Sequence, residues 1–297
     1  MTDRKYIIGA NAYEAPVLEP ALYLVATPIG NLGDITLRAI ETIAAADVLA
    51  CEDTRVTRIL LDRYGIHQKA IVYQEHNVEE AGRKLLGVLE DNRSVALVSD
   101  AGMPLISDPG FRLVAEAREK NIKIVPVPGA SAALTALIAT GLPTDSFFFS
   151  GFLPTKSMQR KARLEELGSI PASLIFYESP HRVSVTLADM VDVFGENRLG
   201  AICREMTKKF ETVDVAPLSE LKERYSDGEK IRGEIVIIVE PPSKQQEKFT
   251  AEEIDKLLID LAKGYPAAKA AAEAARITGH KKADLYKRLL SLKDQAF

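Results

Sequence analysis

Cysteine is scarce in this sequence. Cys51 and Cys203 are the only two in 297 residues, and each lies in an apolar, strand-like run. Two thiols cannot form a disulfide framework in a protein this large, so we expect a reducing, cytoplasmic compartment. Long apolar runs are also lacking: the N-terminus has none suited to an export signal, and the longest run, Ala130 to Leu142, is too short to span a bilayer. The sequence therefore predicts a soluble, unexported protein without membrane contact.

An excess of positive charge is missing as well. The net charge is −4, and the 46% hydrophobic and 27% charged residues are typical of a globular protein. This balance argues against an overall basic nucleic-acid binder, so any RNA contact must come from local surfaces. Phosphate-binding P-loops, nucleophile elbows, zinc-protease motifs, paired cysteines and the Rossmann glycine fingerprint are absent too. We expect no metal.

The clearest pattern is a strand-helix-strand unit from Val95 to Ala133. A buried apolar run, Val95 to Val98, stops at Ser99-Asp100-Ala101-Gly102. A helix from about Asp108 or Pro109 to Lys120 follows, and a second run, Ile122 to Val127, ends in Pro128-Gly129-Ala130-Ser131. Carboxyl ends of parallel strands share one edge of a sheet, where ligands bind. The pattern favours a ligand site there over the alternative that these residues only cap a helix and turn the chain.

Strands and helices alternate along the chain, which indicates an α/β fold. Residues 1–18 form a loose lead-in, and residues 19–142 form a first α/β domain with a mostly parallel sheet. The breaker Gly141 to Asp145 separates it from a second α/β domain, residues 143–242, with a mixed sheet. After a linker at 241–246, residues 246–297 form a small helical domain that resembles a helix-turn-helix. It opens with a capping box at Thr250 and Glu253, and a glycine turn precedes its third helix.

The helical domain is rich in cations. Between Lys263 and Lys293 there are eight Lys and Arg residues against two carboxylates, Glu273 and Asp284. This surplus suits contact with phosphate. An ordinary solvated helix surface explains it equally well.

Polar clusters follow several predicted strands and together border one edge of two sheets. They are Glu52-Asp53-Thr54-Arg55, His76-Asn77, Asp100, Glu178 with His181-Arg182, and Arg204-Glu205 with Lys208. Each also has a structural interpretation. Glu52 and Arg55 can pair locally, His76 and His181 can be ordinary hydrogen-bonding residues, and Glu178 can cap the helix after Pro180.

Seven motifs then make the sequence recognisable. TPIGNLGDIT, CEDTR, SDAGMPLISDPG, PGASA, FSGFLPTK, YESPHR and CREMTKKFE occur in this order within residues 22–240. Together they closely resemble the tetrapyrrole methylase superfamily, in its branch that methylates small-subunit ribosomal RNA. Two departures are mild: Met103 stands where the family is expected to have Thr, and Arg232 precedes Gly233-Glu234 where Lys is usual.

The resemblance implies a two-domain tetrapyrrole-methylase-like fold with S-adenosylmethionine in the cleft between the domains. It also implies a homodimer and methyl transfer to the ribose 2′-oxygen of a cytidine in the decoding centre of 16S ribosomal RNA, within the 30S subunit, with S-adenosylhomocysteine as product. Carried over by motif, the cofactor-binding residues are Pro28, Asp100, Met103, Ser131, Ala132, Tyr177, Arg204 and Glu234.

The sequence does not decide whether the reaction uses a catalytic base. The cofactor supplies the electrophile, so positioning alone can suffice. A base would help a ribose hydroxyl to attack, and the candidates are Glu178 and His181, with Arg55 near phosphate or developing charge. The candidate RNA-binding residues are Lys156, Arg160, Arg182, Lys208, Lys281 and Lys282. The alternatives are a small-molecule tetrapyrrole methyltransferase and a non-catalytic RNA-binding or assembly factor on the same fold.

Overall fold

The computed structural model describes residues 4–226, 231–242, 250–278 and 280–294. The chain divides into two compact units, residues 1–241 and 242–297. Among the described helices, none combines the length and the apolar character needed to cross a bilayer.

The first unit opens with a β-hairpin. Strands β1 (Lys5–Ile8) and β2 (Asn11–Glu14) pair antiparallel, and the rings of Tyr6 and Tyr13 stack with centroids 5.5 Å apart. The prediction of a loose lead-in over residues 1–18 was therefore wrong for this segment. The strands are short and mostly exposed, so they lack the buried apolar run from which a strand is identified in sequence.

Five parallel strands form the first large sheet, in the order β5-β4-β6-β3-β7. They are β3 (Leu22–Val25), β4 (Val48–Cys51), β5 (Ala70–Val72), β6 (Val95–Val98) and β7 (Ile124–Val127). The central strands are buried on both faces, which is why they are nearly continuous apolar runs in the sequence.

Helices connect these strands: α1 (Leu37–Ala45), α2 (Thr54–Arg63), α3 (Val78–Glu90), α4 (Phe111–Glu119) and α5 (Ala132–Ala139). Helix α1 is capped by Thr36, whose hydroxyl accepts from the Ala39 amide, and a 3-10 turn that contains Asp34 precedes it. The start of α4 differs from prediction. Helix α4 starts only after Gly110, whose φ of +139° is incompatible with an earlier helical start.

The second sheet is mixed, as predicted. Its order is β11-β10-β12-β9-β8; β8 and β9 are parallel, and the other neighbours are antiparallel. The strands are β8 (Phe147–Phe152), β9 (Ser173–Glu178), β10 (Leu199–Arg204), β11 (Thr212–Pro217) and β12 (Ile235–Val239).

Each face of this sheet has its own core. One face packs with α6 (Ser157–Gly168), α7 (Val183–Phe194) and α8 (Leu218–Arg224), the last a helix that the sequence did not predict. The other face packs against α5 and Ile29. These belong to the part of the unit that carries the first large sheet, called the first half below; the part that carries the second sheet is the second half. Along β10, Ala201 and Cys203 face α5, whereas Ile202 faces the helical layer, as the two-residue period of a strand requires. The predicted boundary between residues 142 and 143 stays a prediction.

The second unit contains α9 (Ala251–Gly264), α10 (Ala267–Thr278) and α11 (Lys282–Asp294). The predicted capping box is confirmed: the Thr250 hydroxyl accepts from the Glu253 amide, and the Glu253 carboxylate accepts from the Thr250 amide. Small residues of α10 let it pack closely, and the core consists of Leu258, Ala270, Ala271, Ala274, Leu285 and Leu289. The predicted glycine turn at Gly279 and the linker from 243 to 246 lie outside the described residues.

Candidate active site

A cavity of about 470 Å³ opens at the carboxyl edge of the first sheet, against the second. The loop after β6 (residues 100–103 and 106–108) and the start of α5 (Ser131, Ala132) line it from one half. The ends of β8 and β9 and the start of β12 line it from the other. Its size lies within the usual range for small-molecule sites, and its position at strand ends matches the sequence prediction.

Side-chain and backbone bonds fix the loop that follows β6. The Thr27 hydroxyl donates to the Ser99 carbonyl at 3.0 Å, and the Ser99 hydroxyl donates to the Gly102 carbonyl at 2.9 Å. Thr27 and Gly102 also exchange both backbone hydrogen bonds. Further along the loop, Leu105 and Ser107 have φ values of +72° and +65°, which L side chains rarely adopt. Such strain is concentrated at functional sites.

Three carboxyl groups of the first half line the cavity, and none of them forms an ion pair with a residue that the structure describes. They are Glu52, Asp100 and Asp108, and burial, the largest cause, raises the pKa of each, with further contributions from neighbouring carboxylates. The pKa of Asp108 is raised to about 6. One oxygen of Asp100 accepts a hydrogen bond from the Asp53 amide at 3.0 Å. The site therefore favours a ligand that carries positive charge or hydroxyl donors.

Apolar and aromatic side chains form the remaining walls: Ile29, Met103, Ile106, Ala132, Phe152, Tyr177, Ile235 and Val236. The Tyr177 ring lies edge-on to Phe149 and Phe152, at centroid distances of 4.9 and 5.7 Å. Burial raises the pKa of the Tyr177 phenol. At the start of α5 the Ser131 side chain makes no capping hydrogen bond. These walls suit a planar heterocycle with a polar attachment.

A second cavity of about 240 Å³ adjoins the first and shares Ile29, Asp100, Ala101 and Glu234 with it. Pro28 and Lys208 line this second cavity. The Lys208 ammonium pairs with Glu205 at 2.8 Å and with Glu234 at 3.4 Å. Burial alone would lower the pKa of Lys208, but the bond with Glu205 and the charge of Glu234 leave it raised. A Cβ at Gly30 would lie 2.4 Å from Cγ of Lys208, so only glycine lets this side chain pass.

The structure does not bring the three predicted catalytic residues together. The Glu178 side chain is 0% exposed; its Oε1 accepts from the Ser179 amide, and its Oε2 accepts from the Thr186 hydroxyl. His181 is exposed and does not line either cavity. The Arg55 guanidinium is 89% exposed and pairs with Asp53 at 2.5 Å. The local contacts also differ from those expected: Arg55 pairs with Asp53 and not with Glu52. Glu178 bonds to Ser179 and Thr186, and α7 has no side-chain cap.

The predicted cofactor residues fall into two groups. Asp100, Met103, Ser131, Ala132, Tyr177 and Glu234 line the first cavity, and Pro28 lines the second. Arg204 lines neither, and its guanidinium lies 3.4 Å from both the Thr212 hydroxyl and the Arg232 carbonyl. Arg204 shares strand parity with Ile202, so it projects from the face opposite Cys203.

Two of the predicted RNA-binding residues make structural contacts within the chain, and their role in RNA binding stays a prediction. Arg160 is 3% exposed and bonds to Asp189 at 2.7 Å. Arg182 donates to the carbonyls of Leu153 and Pro154, at 2.8 and 3.1 Å. The charge of Arg160 gave no sign in the sequence that its face of α6 is turned inward.

The remaining predicted RNA-binding cations differ in setting. Lys156, Lys281 and Lys282 are exposed, whereas Lys208 lies in the second cavity with its ion pairs. In the second unit, Lys263, Arg276 and Arg288 pair with Asp260, Glu273 and Asp255 respectively. Fewer cations are thus available there for phosphate than the sequence count indicated.

Sequence reasoning missed Asp108 and Phe152. Asp108 precedes Pro109 and was interpreted as a possible helix start, whereas it remains in the loop and lines the cavity. Phe152 ends β8 after a bulge, which changes the face that it occupies. Gly151 before it was the available signal, because glycine within a strand often marks a bulge. Among the described residues, no group of three or more His, Cys, Asp and Glu residues is arranged to hold a metal.

Comparison with known proteins assigns the family. Residues 21–222 match the model of the tetrapyrrole (corrin/porphyrin) methylases, and residues 249–293 match that of the RsmI C-terminal HTH domain. The chain is 54% identical over 288 residues to ribosomal RNA small subunit methyltransferase I of Mesorhizobium japonicum, covering 97% of each chain. It is 47% identical to the protein of that name in Escherichia coli O157:H7, covering 90% of this chain and 93% of the relative.

A solved structure shares the fold. Uroporphyrin-III C-methyltransferase of Thermus thermophilus, in complex with S-adenosylhomocysteine, superimposes with a TM-score of 0.53 and 19% identity, over 74% of this chain and 97% of that one. At this identity the likeness extends to the fold alone. Together with the two family models and the curated relatives, these findings show that the chain belongs to the ribosomal RNA small subunit methyltransferase I family of tetrapyrrole methylases.

Proposed function

We propose that this chain transfers a methyl group from S-adenosylmethionine to the ribose 2′-oxygen of a cytidine in the decoding centre of 16S ribosomal RNA. The observation that carries the proposal is the acidic, aromatic-walled cavity at the strand ends, in a chain whose relatives are named as small-subunit ribosomal RNA methyltransferases. A homodimer and a cytoplasmic location remain predictions from the resemblance and the composition.

The residues around the cavity are compatible with this cofactor. A volume of about 470 Å³ accommodates a nucleoside with a short charged tail. Asp100 and Glu234 offer carboxylates to hydroxyl or ammonium groups, while Met103, Ala132 and Tyr177 offer apolar contacts to a purine. Small residues in the lining, Ala101, Gly102 and Ala132, also permit close approach of a ligand to the backbone. When bound, S-adenosylmethionine supplies an electrophilic methyl group on a sulfonium.

The chain's own contribution is positioning and electrostatics. The unpaired carboxyl groups of Asp100 and Asp108 favour a cationic ligand in a partly desolvated site. Glu178 is a poor candidate for a general base, because both of its oxygens accept hydrogen bonds and its side chain is enclosed. Asp108 is better suited to accept a proton, because it lines the cavity and its pKa of about 6 lies near neutrality.

Contact with RNA is proposed for the exposed cations Lys156, Lys281 and Lys282. Lys281 and Lys282 lie at the start of α11, and no ion pair is formed by either within the part of the chain that the structure describes. Such cations strengthen binding through phosphate contact without base specificity.

The experiment that tests the proposal is transfer of labelled methyl from S-adenosylmethionine to undermethylated 30S subunits and to naked 16S RNA, followed by nucleoside analysis. We expect 2′-O-methylcytidine, and comparison of the two substrates shows whether the assembled subunit is required. Label at another atom or on another nucleoside would contradict the assignment of the cytidine 2′-oxygen as the methyl acceptor. Label on a small tetrapyrrole, with none on either RNA, would replace the proposal with the small-molecule alternative.

A further inference from the structure

Phe152 occupies an unusual position for a large apolar residue. It lines the first cavity, yet 57% of the residue is exposed. An aromatic ring left in water forfeits part of the hydrophobic stabilisation that its burial would give. Its neighbour in the cavity, Tyr177, holds it edge-on at 5.7 Å with an interplanar angle of 64°. The ring is thus fixed from one side and open on another.

A β-bulge directs Phe152 into the cavity. Up to Phe149 the register of β8 is regular: Phe148 pairs with Leu174 and packs on the helical face, whereas Phe149 pairs with Ile175 and packs on the α5 face. The register then shifts, so that Phe152 pairs with Tyr177. Without the extra residue, strand alternation would place Phe152 with Phe148, beneath the helices.

Backbone conformation confirms that the bulge is a specific feature. Gly151 has a φ of +67°, a value that strongly favours glycine. A Cβ at Gly151 would also lie 3.3 Å from the Ser107 hydroxyl oxygen, so the bulge packs against the strained loop after β6. Bulges beside active sites often re-aim a side chain in this way.

The surroundings of Phe152 match an RNA base better than another partner. Ile106, which is 45% exposed, adds apolar surface at the same cavity, and the exposed cation Lys156 follows four residues later at the start of α6. An aromatic ring with a nearby cation is the usual means of binding an unstacked nucleotide. The more enclosed ring of Tyr177, with Ile235 and Val236, remains for the cofactor.

We infer that Phe152 is a stacking residue for an unpaired nucleobase of the RNA substrate, at or next to the methylated nucleotide. This inference rests on the proposed function, because it assigns the substrate contact of the same cavity. Phe152 acts by holding the base, and the reacting atoms are positioned as a consequence.

Fluorescence gives a test that does not depend on turnover. The chain has no tryptophan, so Phe152→Trp introduces a single reporter. Phe147→Trp is the matched control, because Phe147 lies at the other end of the same strand and is 47% exposed. A short single-stranded RNA should quench the reporter at 152 and leave that at 147 unchanged. Quenching by S-adenosylhomocysteine with none by RNA would overturn the inference and assign the ring to the cofactor.

Kinetics give the second test. With 30S subunits, Phe152→Ala should raise KM about tenfold, from the usual strength of base-aromatic stacking, and leave the Kd for S-adenosylmethionine unchanged. Phe152→Tyr should restore KM, and Phe147→Ala should not change it. If the wild-type protein is active and Phe152→Ala has a normal KM, the stacking role is contradicted while the proposed function stands. If RNA quenches the reporter in Phe152→Trp but the wild-type protein transfers no methyl group, only the proposed function is contradicted.

Discussion

Carboxyl groups near the two sheets have opposite electrostatic environments. At the edge of the first sheet, Glu52, Asp100 and Asp108 border the cavity, and their pKa values are raised by burial and by neighbouring carboxylates. In the second half, Asp189 pairs with Arg160 at 2.7 Å, and the pKa of Glu205 is lowered by its bond with Lys208.

This difference distinguishes carboxylates that stabilise the fold from carboxyl groups that are available to a ligand. A buried carboxylate with a full set of partners contributes to a defined fold, whereas a carboxyl group kept without a cation costs stability and is retained where a ligand uses it. We therefore expect loss of an engaged carboxylate such as Asp189 to act mainly on folding, and loss of a cavity carboxyl group such as Asp100 to act mainly on ligand binding.

The largest expected effect is loss of the Asp189 carboxylate. Asp189→Ala leaves the guanidinium of Arg160 buried without its partner, since these side chains are 3% and 9% exposed. We expect the free energy of unfolding to fall by about 3–5 kcal/mol, as is usual when one partner of a buried pair is removed. Chemical denaturation measures this change.

Asp192→Ala is the control for Asp189. Asp192 is 53% exposed and pairs with Lys161 on the surface, so its loss should leave stability nearly unchanged. Equal stability of the two variants would show that the Arg160 pair is not a determinant of the fold.

Substitution of Asp108 should change the free energy of unfolding less, and in the opposite direction. Its folded pKa of about 6 exceeds the ordinary value of 3.8, so the fold favours the protonated form and loses stability as pH rises between these values. Asp108→Asn should raise the free energy of unfolding at pH 7 by about 1 kcal/mol, after allowance for solvent screening of a partly exposed group. Below about pH 4 the gain should vanish.

Binding separates the two roles of Asp108. The same substitution should weaken S-adenosylmethionine binding at pH 7, because an ionised carboxylate facing a cation is lost. If the variant is more stable and binds the cofactor normally, Asp108 does not contribute to cofactor binding.

The smallest effect is expected at Arg55. Its ion pair with Asp53 is largely in solvent, so Arg55→Ala should not measurably change stability. Because Arg55 does not line the cavities, we also expect a near-normal single-turnover rate of methyl transfer. A large fall in that rate would restore the catalytic role that the sequence predicted for Arg55.

Much of the fold follows from patterns in the sequence. Runs such as Val95–Val98 and Ile235–Val239 are apolar throughout because both faces of these strands are covered. The hairpin at Lys5–Glu14 was missed because its strands are mostly exposed, and Leu218–Arg224 was missed because a two-turn helix has little periodicity to detect.

The site was predictable in place and only partly in detail. Gly102 lines the cavity, and a glycine directly after a buried strand can be identified in sequence. Whether a polar residue is free or engaged depends on partners distant in sequence: Arg160 meets Asp189, 29 residues away. Arg204 lines neither cavity, and strand alternation from Cys203 could have placed it on the other face.

Calorimetric titration of S-adenosylmethionine tests the contrast between the two halves most directly, with Asp100→Asn and Glu178→Gln as the pair. Both residues line the cavity, but Asp100 has only one oxygen held, by the Asp53 amide, whereas both oxygens of Glu178 accept hydrogen bonds within the second half. We predict that Asp100→Asn weakens binding about tenfold, as expected for loss of a charged contact. Glu178→Gln should bind normally and unfold more easily. The reverse pattern, with normal binding in Asp100→Asn and lost binding in a folded Glu178→Gln protein, would contradict the division of roles between the two sheets.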